Sequence, residues 1–181
     1  MSKPFADSSP ERISVPVKRT RRRFREPKAT RPHIPGYGLP KSRKGLLSWS
    51  WAEQRLERSH NYWISTTRPD GTPHTMIVWG LWLEGRFYFS TGQKSRKARN
   101  LAANPRCVIC SERAEQAVVV EGVAELVSDR TIRKQFGELY QKKYKWDMKD
   151  FSEPIYIVRP RVAFGLFEKK FMASATRWTF E

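Results

Sequence analysis

Arg86-Phe87-Tyr88-Phe89-Ser90-Thr91-Gly92-Gln93-Lys94-Ser95-Arg96-Lys97-Ala98-Arg99-Asn100-Leu101 changes its period in the middle. Residues 86–91 are aromatic and β-prone and read as a strand. The small polar residues 91–94 break it. From Ser95 the spacing becomes helical, with Ser95 as N-cap and Asn104-Pro105 as the stop, so a short helix is expected over residues 95–103. A strand that runs through a polar loop into a basic helix start is an anion site in its chemistry. Unpaired backbone N–H groups and the positive end of the helix dipole point into the loop, hydroxyls add donors, and cationic side chains bring full charge. Ser90, Thr91, Ser95, Arg96 and Lys97 are the candidate phosphate-holding residues; the plainer reading is a solvated basic helix end.

Outward from this junction the sequence is mostly β. Glu84-Gly85 makes a tight turn back to a β-branched and aromatic run over residues 74–83, and Arg68-Pro69-Asp70-Gly71 turns that run back to a strand at residues 61–67. These three strands are expected to form a meander. A helix over residues 51–58 precedes them, with Ser50 and Glu53 spaced as a capping box. Beyond the junction, strands are expected at residues 106–112, 116–127, 155–167 and 171–180, and a helix capped by Ser128 or Asp129 runs to about residue 144. About six or seven strands joined mostly antiparallel, with three flanking helices, define a mainly β, α+β domain, and barrel closure is the natural way to remove its edges.

The 181 residues carry 35 Lys and Arg against 18 Asp and Glu, a net charge of +17. Thirteen of these cations and only three acids fall in residues 1–44, so the excess is concentrated there. This Pro-rich arm, with Lys18-Arg19-Thr20-Arg21-Arg22-Arg23-Phe24-Arg25 at its centre, is too poor in large apolar side chains to fold alone. It is expected to be largely disordered to about residue 31, with residues 33–40 lying over a domain at 45–181. Nucleic acid is a possible partner for the arm through backbone charge. The chain shows no secretory pattern, no apolar run near the ~18 residues of a membrane span, and two cysteines, so cytoplasmic localisation without membrane contact is expected.

Cys107 and Cys110 match a C-x-x-C spacing, but in a strand they point to opposite faces about 10 Å apart, which suits neither a disulfide nor a zinc site. No metal site is expected. There is no G-x-S-x-G elbow, H-E-x-x-H helix or Walker loop.

Taken in order, Arg68-Pro69-Asp70-Gly71-Thr72-Pro73-His74, Phe87-Tyr88-Phe89-Ser90-Thr91, Ser95-Arg96-Lys97-Ala98-Arg99-Asn100-Leu101, Asn104-Pro105-Arg106 and Val118-Val119-Val120-Glu121-Gly122 resemble the pyridoxamine 5′-phosphate oxidase family, within the flavin and deazaflavin oxidoreductases with an FMN-binding split β-barrel. The resemblance implies a homodimer that binds FMN, or the deazaflavin coenzyme F420, at its interface and moves hydride to or from a small-molecule substrate. It places Arg96 and Lys97 on the cofactor phosphate with Ser90, Thr91 and Ser95 beside it. Thr75, Met76, Ile77, Val78 and Trp79 would lie along the ring and ribityl chain, and Trp178, near the C-terminus, would cover the ring. The vitamin-forming oxidase carries an Arg-x-His run near its C-terminus, whereas the last histidine here is His74, so its own reaction is not expected. The resemblance assigns no catalytic side chain, because a flavin carries the electronics itself. A non-catalytic split-barrel protein binding a flavin, a tetrapyrrole or, through the basic arm, nucleic acid is the alternative.

Overall fold

A computed structural model describes residues 25–148 and 151–181. In chain order the elements are β1 (Lys28–Thr30), α1 (Trp49–Arg58), β2 (Tyr62–Thr67), β3 (Pro73–Val78), β4 (Gly80–Leu83), β5 (Arg86–Ser90), α2 (Arg96–Ala103), β6 (Arg106–Ser111), β7 (Val118–Leu126), α3 (Arg130–Tyr144), β8 (Ile155–Gly165), α4 (Phe171–Ser174) and β9 (Thr176–Thr179). The antiparallel, mainly β architecture with flanking helices is the expected one.

All paired strands are antiparallel, in the order β1-β9-β8-β7-β6-β2-β3, with β5 pairing both β4 and β8. Strand β8 organises the split. One edge of it runs along β7, while the other pairs β5 through residues 155–158 and β9 through residues 162–165. Pro160, which has no N–H to donate, sits between these two pairings, opposite the register shift at Glu121/Gly122.

Side chains alternate accordingly. Phe87, Phe89, Tyr156 and Val158 face a core shared with Ile64, Ile109, Val120, Trp82 and Trp178, into which α1 inserts Trp49, Ala52 and Leu56. Tyr88, Ile155 and Ile157 face the other way and are covered by Phe136 and Tyr144 of α3.

Several expectations are corrected. The barrel is not closed by hydrogen bonds: among the described residues, β3 pairs only β2. The run at residues 74–83 is two strands broken at Trp79, so the expected meander is split. β3 stays with β2, while β4 and β5 form a hairpin over the Glu84-Gly85 turn, both of whose residues have the positive φ of a tight hairpin. The cap of α1 is Ser48, whose hydroxyl accepts from the Trp51 N–H at 3.2 Å, and not Ser50. The expected strand at residues 171–180 begins as the short helix α4.

The arm expectation divides. Residues 1–24, including most of the arginine-rich run, lie outside the described residues. Lys28–Thr30 is an ordered strand on β9, against the expectation of disorder to residue 31. The Arg31 guanidinium then ties the arm down through the carbonyls of Ser42, Lys44, Ala173 and Ala175. Residues 33–40 lie against the domain as expected, with Tyr37 edge-on to Phe171. No helix among the described residues is long and apolar enough to cross a membrane.

Candidate functional site

The loop after β5 is built by local hydrogen bonds. Ser90 Oγ donates to the Pro154 carbonyl at 2.6 Å, Thr91 Oγ1 and Ser95 Oγ lie 3.1 Å apart, and the Ser95 N–H reaches the Gly92 carbonyl at 2.9 Å. Ser95 Oγ accepts from the Ala98 N–H at 3.2 Å, which makes it the N-cap of α2. The first turn of α2 holds no acidic residue. Arg96 is exposed at this end, and Lys97 is half-buried, which lowers the pKa of its ammonium. These donors and charges suit a phosphate.

One group opposes that charge. Glu153, from the segment before β8, accepts the Gln93 N–H on Oε2 at 3.0 Å and lies over Gly92. A carboxylate of the chain itself thus takes one donor of the loop.

Thr75, Met76, Ile77 and Val78 lie on β3, the last strand of its sheet path, followed by Trp79 at the break. Val78 is buried opposite Tyr62, whereas Met76 and Ile77 are about half exposed. Thr75 Oγ1 is 2.8 Å from Ser65 Oγ. Trp79 stacks on Tyr144 with ring centroids 4.7 Å apart and planes at 6°. Tyr144 is in turn pinned by its hydroxyl, which lies 2.9 Å from the Gly80 N–H and 2.8 Å from the His60 and Gly80 carbonyls. Lys143 joins this knot, its Nζ 3.0 Å from both Tyr62 Oη and the Gly80 carbonyl. Burial lowers the Lys143 pKa to about 8, against a smaller pull from Glu112, and raises those of Tyr62 and Tyr144.

Trp79, Ser90 and Thr91 meet on one cavity of about 240 Å³ whose other walls are Gly92, Tyr140, Trp146, Phe151 and Glu153. A second cavity, of about 640 Å³, lies on residues 92–95, 126–128 and 152–155 with Arg133. The loop therefore separates two hollows. Asn100, fully buried on α2, donates to Thr66 Oγ1 at 3.0 Å, while its Oδ1 and the Nδ1 of His74 are buried without a partner.

Trp178 is not brought to this site. It is fully buried, 5.3 Å from Trp49 in an edge contact, and its β8 partner is Ala163. Ser90 pairs with Ile155 at the other end of β8, roughly 25 Å away at the usual rise per residue. Its ring presents no face to a ligand within this chain. Cys107 is buried, its thiol pushed up to about 12, and Cys110 is half-buried on the opposite face; both are free. Among the described residues no group of His, Cys, Asp and Glu is placed to hold a metal.

Sequence reasoning missed Glu153, Tyr140, Trp146, Phe151 and the Lys143–Tyr144 pair. Tyr140 and Tyr144 lie one helical turn apart on α3, a spacing that signals a shared face. Nothing local marks residues 146–153 as neighbours of a loop about 60 positions earlier.

Known proteins bear out the arrangement. No curated protein matches the sequence. Among solved structures, an F420 reductase is 27% identical, with 61% of this chain and 94% of that chain covered and a TM-score of 0.52. A conserved hypothetical protein from Mycobacterium tuberculosis is 23% identical, covering 68% and 87%, with a TM-score of 0.61. An FAD-binding protein from Mesorhizobium loti, at 16% identity, covers 75% and 96% with a TM-score of 0.55 and shares the fold. The model of the pyridoxamine 5′-phosphate oxidase family matches residues 51–169, from the first turn of α1 to the end of β8 and through both halves of the site, and the chain belongs to that family of flavin-related oxidoreductases.

Proposed function

We propose that this chain is a homodimeric oxidoreductase that holds FMN, or the deazaflavin coenzyme F420, by its phosphate at the start of α2 and serves hydride transfer to or from a small organic substrate. The observation that carries this is the Ser95-capped start of α2, with Arg96 and Lys97 in an acid-free first turn, reached by a loop whose Ser90 and Thr91 share a cavity with Trp79. Family membership supplies the cofactor class.

The residues fit such a group. Ser95, Thr91 and the first-turn N–H groups offer donors, and Arg96 and Lys97 offer charge, so a phosphate gains several charge-assisted hydrogen bonds there. The free edge of β3 at Thr75, Met76 and Ile77 offers backbone donors and acceptors to the rim of a flat ring. A bound flavin-type cofactor supplies the hydride chemistry, and the protein contributes orientation, ring hydrogen bonds and exclusion of water.

The test is cofactor binding to the full chain. FMN or F420 titrated into the protein should give saturable fluorescence changes. Arg96→Ala with Lys97→Ala should weaken binding by a hundredfold or more, since hydrogen bonds to charged groups contribute about 1.5–3 kcal/mol each. Binding of neither cofactor, or binding unchanged in the double variant, overturns the proposal.

A further inference from the structure

The cavity of about 240 Å³ differs in chemistry from the loop it adjoins. Trp79, Tyr140, Trp146 and Phe151 give it four aromatic walls, and Glu153 gives it a carboxylate; no lysine, arginine or histidine lines it, in a protein of net charge +17. The walls are not parallel. Trp146 meets Trp79 edge-on, at 71° and 6.3 Å, and Tyr140 lies at 55° and 6.3 Å, so the rings form sides of a box rather than a stack. Trp79 is held in place by its stack on Tyr144, whose hydroxyl is fixed by backbone groups on β4 and at His60. A pre-positioned ring loses little freedom when a ligand arrives. Trp146 nevertheless leaves 56% of its surface exposed.

Aromatic faces carry negative potential and attract cations, most strongly where water is partly excluded. A carboxylate beside them adds direct attraction for positive charge and repels anions. Glu153 uses Oε2 for the Gln93 N–H, and a carboxylate has lone pairs for further partners. Flat apolar walls select a flat ligand, and the volume limits it to one or two fused rings.

We infer that this cavity is a subsite for a planar, positively charged nitrogen heterocycle, with Glu153 as its counter-charge. The inference deepens the oxidoreductase reading and rests on it for the role of the bound ring as substrate; the binding itself does not require the cofactor. Glu153 then has two effects of opposite sign, favouring the cation in the aromatic cavity and opposing the phosphate in the loop.

The probe is 1-methylquinolinium chloride, compared by calorimetry at pH 8 with quinoline, its neutral counterpart, and with 1-naphthoate, an anion. The cation should bind at least tenfold more tightly than quinoline, and naphthoate should not bind. Glu153→Gln should weaken the cation about fivefold, leave quinoline unchanged and tighten FMN. Trp146→Ala should weaken both quinolines; both positions are exposed, so neither variant threatens the fold. Equal affinity for cation and neutral ring, or cation binding indifferent to both variants, overturns the inference. FMN titration of the same samples separates the two readings: cation selectivity without FMN binding overturns only the cofactor proposal, and FMN binding without cation selectivity overturns only the subsite.

Discussion

Lys143 shows what a single residue decides. Its Nζ donates to Tyr62 Oη and the Gly80 carbonyl and lies over the rings of Tyr62 and Tyr144, and burial draws its pKa down to about 8 from an ordinary 10.5. Between about pH 8 and 10 the unfolded chain therefore holds a proton on this amine that the folded chain has released. The fold gains stability as pH rises through that window, at up to about 1.4 kcal/mol per pH unit. Above it the raised phenol pKa values of Tyr62 and Tyr144 act the other way, because the unfolded phenols ionise first. Urea unfolding at pH 7.5 and 9.5 should show the rise, and Lys143→Met, which removes the titrating group but keeps the stem, should abolish most of it. Tyr144→Phe tests the same knot from the other side. It leaves the buried Gly80 N–H without its 2.9 Å partner, at a cost of about 1–3 kcal/mol, and should lower the urea midpoint. None of this is legible in the sequence, where Lys143 is one cation in a basic helix. Ser95 was legible, because a cap acts within four residues of itself.

The same contrast holds for elements. α2 and the β4–β5 turn follow from Ser95, Asn104-Pro105 and Glu84-Gly85, all signals that act over short range. The break at Trp79 does not follow from local preference, since residues 74–83 are continuously β-prone. It is set by packing: a Cβ on Gly80 would stand 2.3 Å from the Phe87 ring, so the hairpin closes on β5 only with glycine there, and β3 leaves in another direction. α4 likewise replaces an expected strand because Ser174 Oγ donates back to the Phe167 carbonyl and accepts the Phe167 N–H, closing a loop that strand geometry cannot make. Gly122 marks the other constraint of this kind. At the register shift opposite Pro160 its Cβ would meet the Arg159 carbonyl oxygen at 2.6 Å, and a backbone atom in a sheet cannot yield as a side-chain tip can. Gly122→Ala should cost about 1–3 kcal/mol in denaturant unfolding, the range for overpacking. Gly92→Ala, whose Cβ would meet only Glu153 at 3.8 Å, should leave stability close to wild type.

For the whole molecule the open question is the free edge of β3. Ile77 stands opposite Trp63 on one face of the β2–β3 pair, and the two remain 50% and 44% exposed, while Met76 on the other face is 48% exposed. An apolar edge strand with unpaired N–H and C=O groups invites pairing, and proteins normally shield such edges with charge or cover. No lysine or acid lies on β3 to shield this one. The same strand carries Thr75, Met76 and Ile77 of the proposed cofactor site, so one event, docking of a second copy, would cover the edge and complete the pocket. The protein is then expected to sediment as a dimer at micromolar concentration, with an interface in the usual range of roughly 1,200–2,000 Å². Ile77→Lys puts a charge at the centre of the patch without touching the core and should yield a folded monomer. Its FMN affinity separates two models that share the dimer. If the partner completes the pocket, the monomer binds FMN at least tenfold more weakly although Arg96, Lys97 and Ser95 are intact. If one chain suffices, affinity is unchanged, and β3 is an interface only. A wild-type monomer, or an Ile77→Lys variant that still dimerises, would remove β3 from both roles.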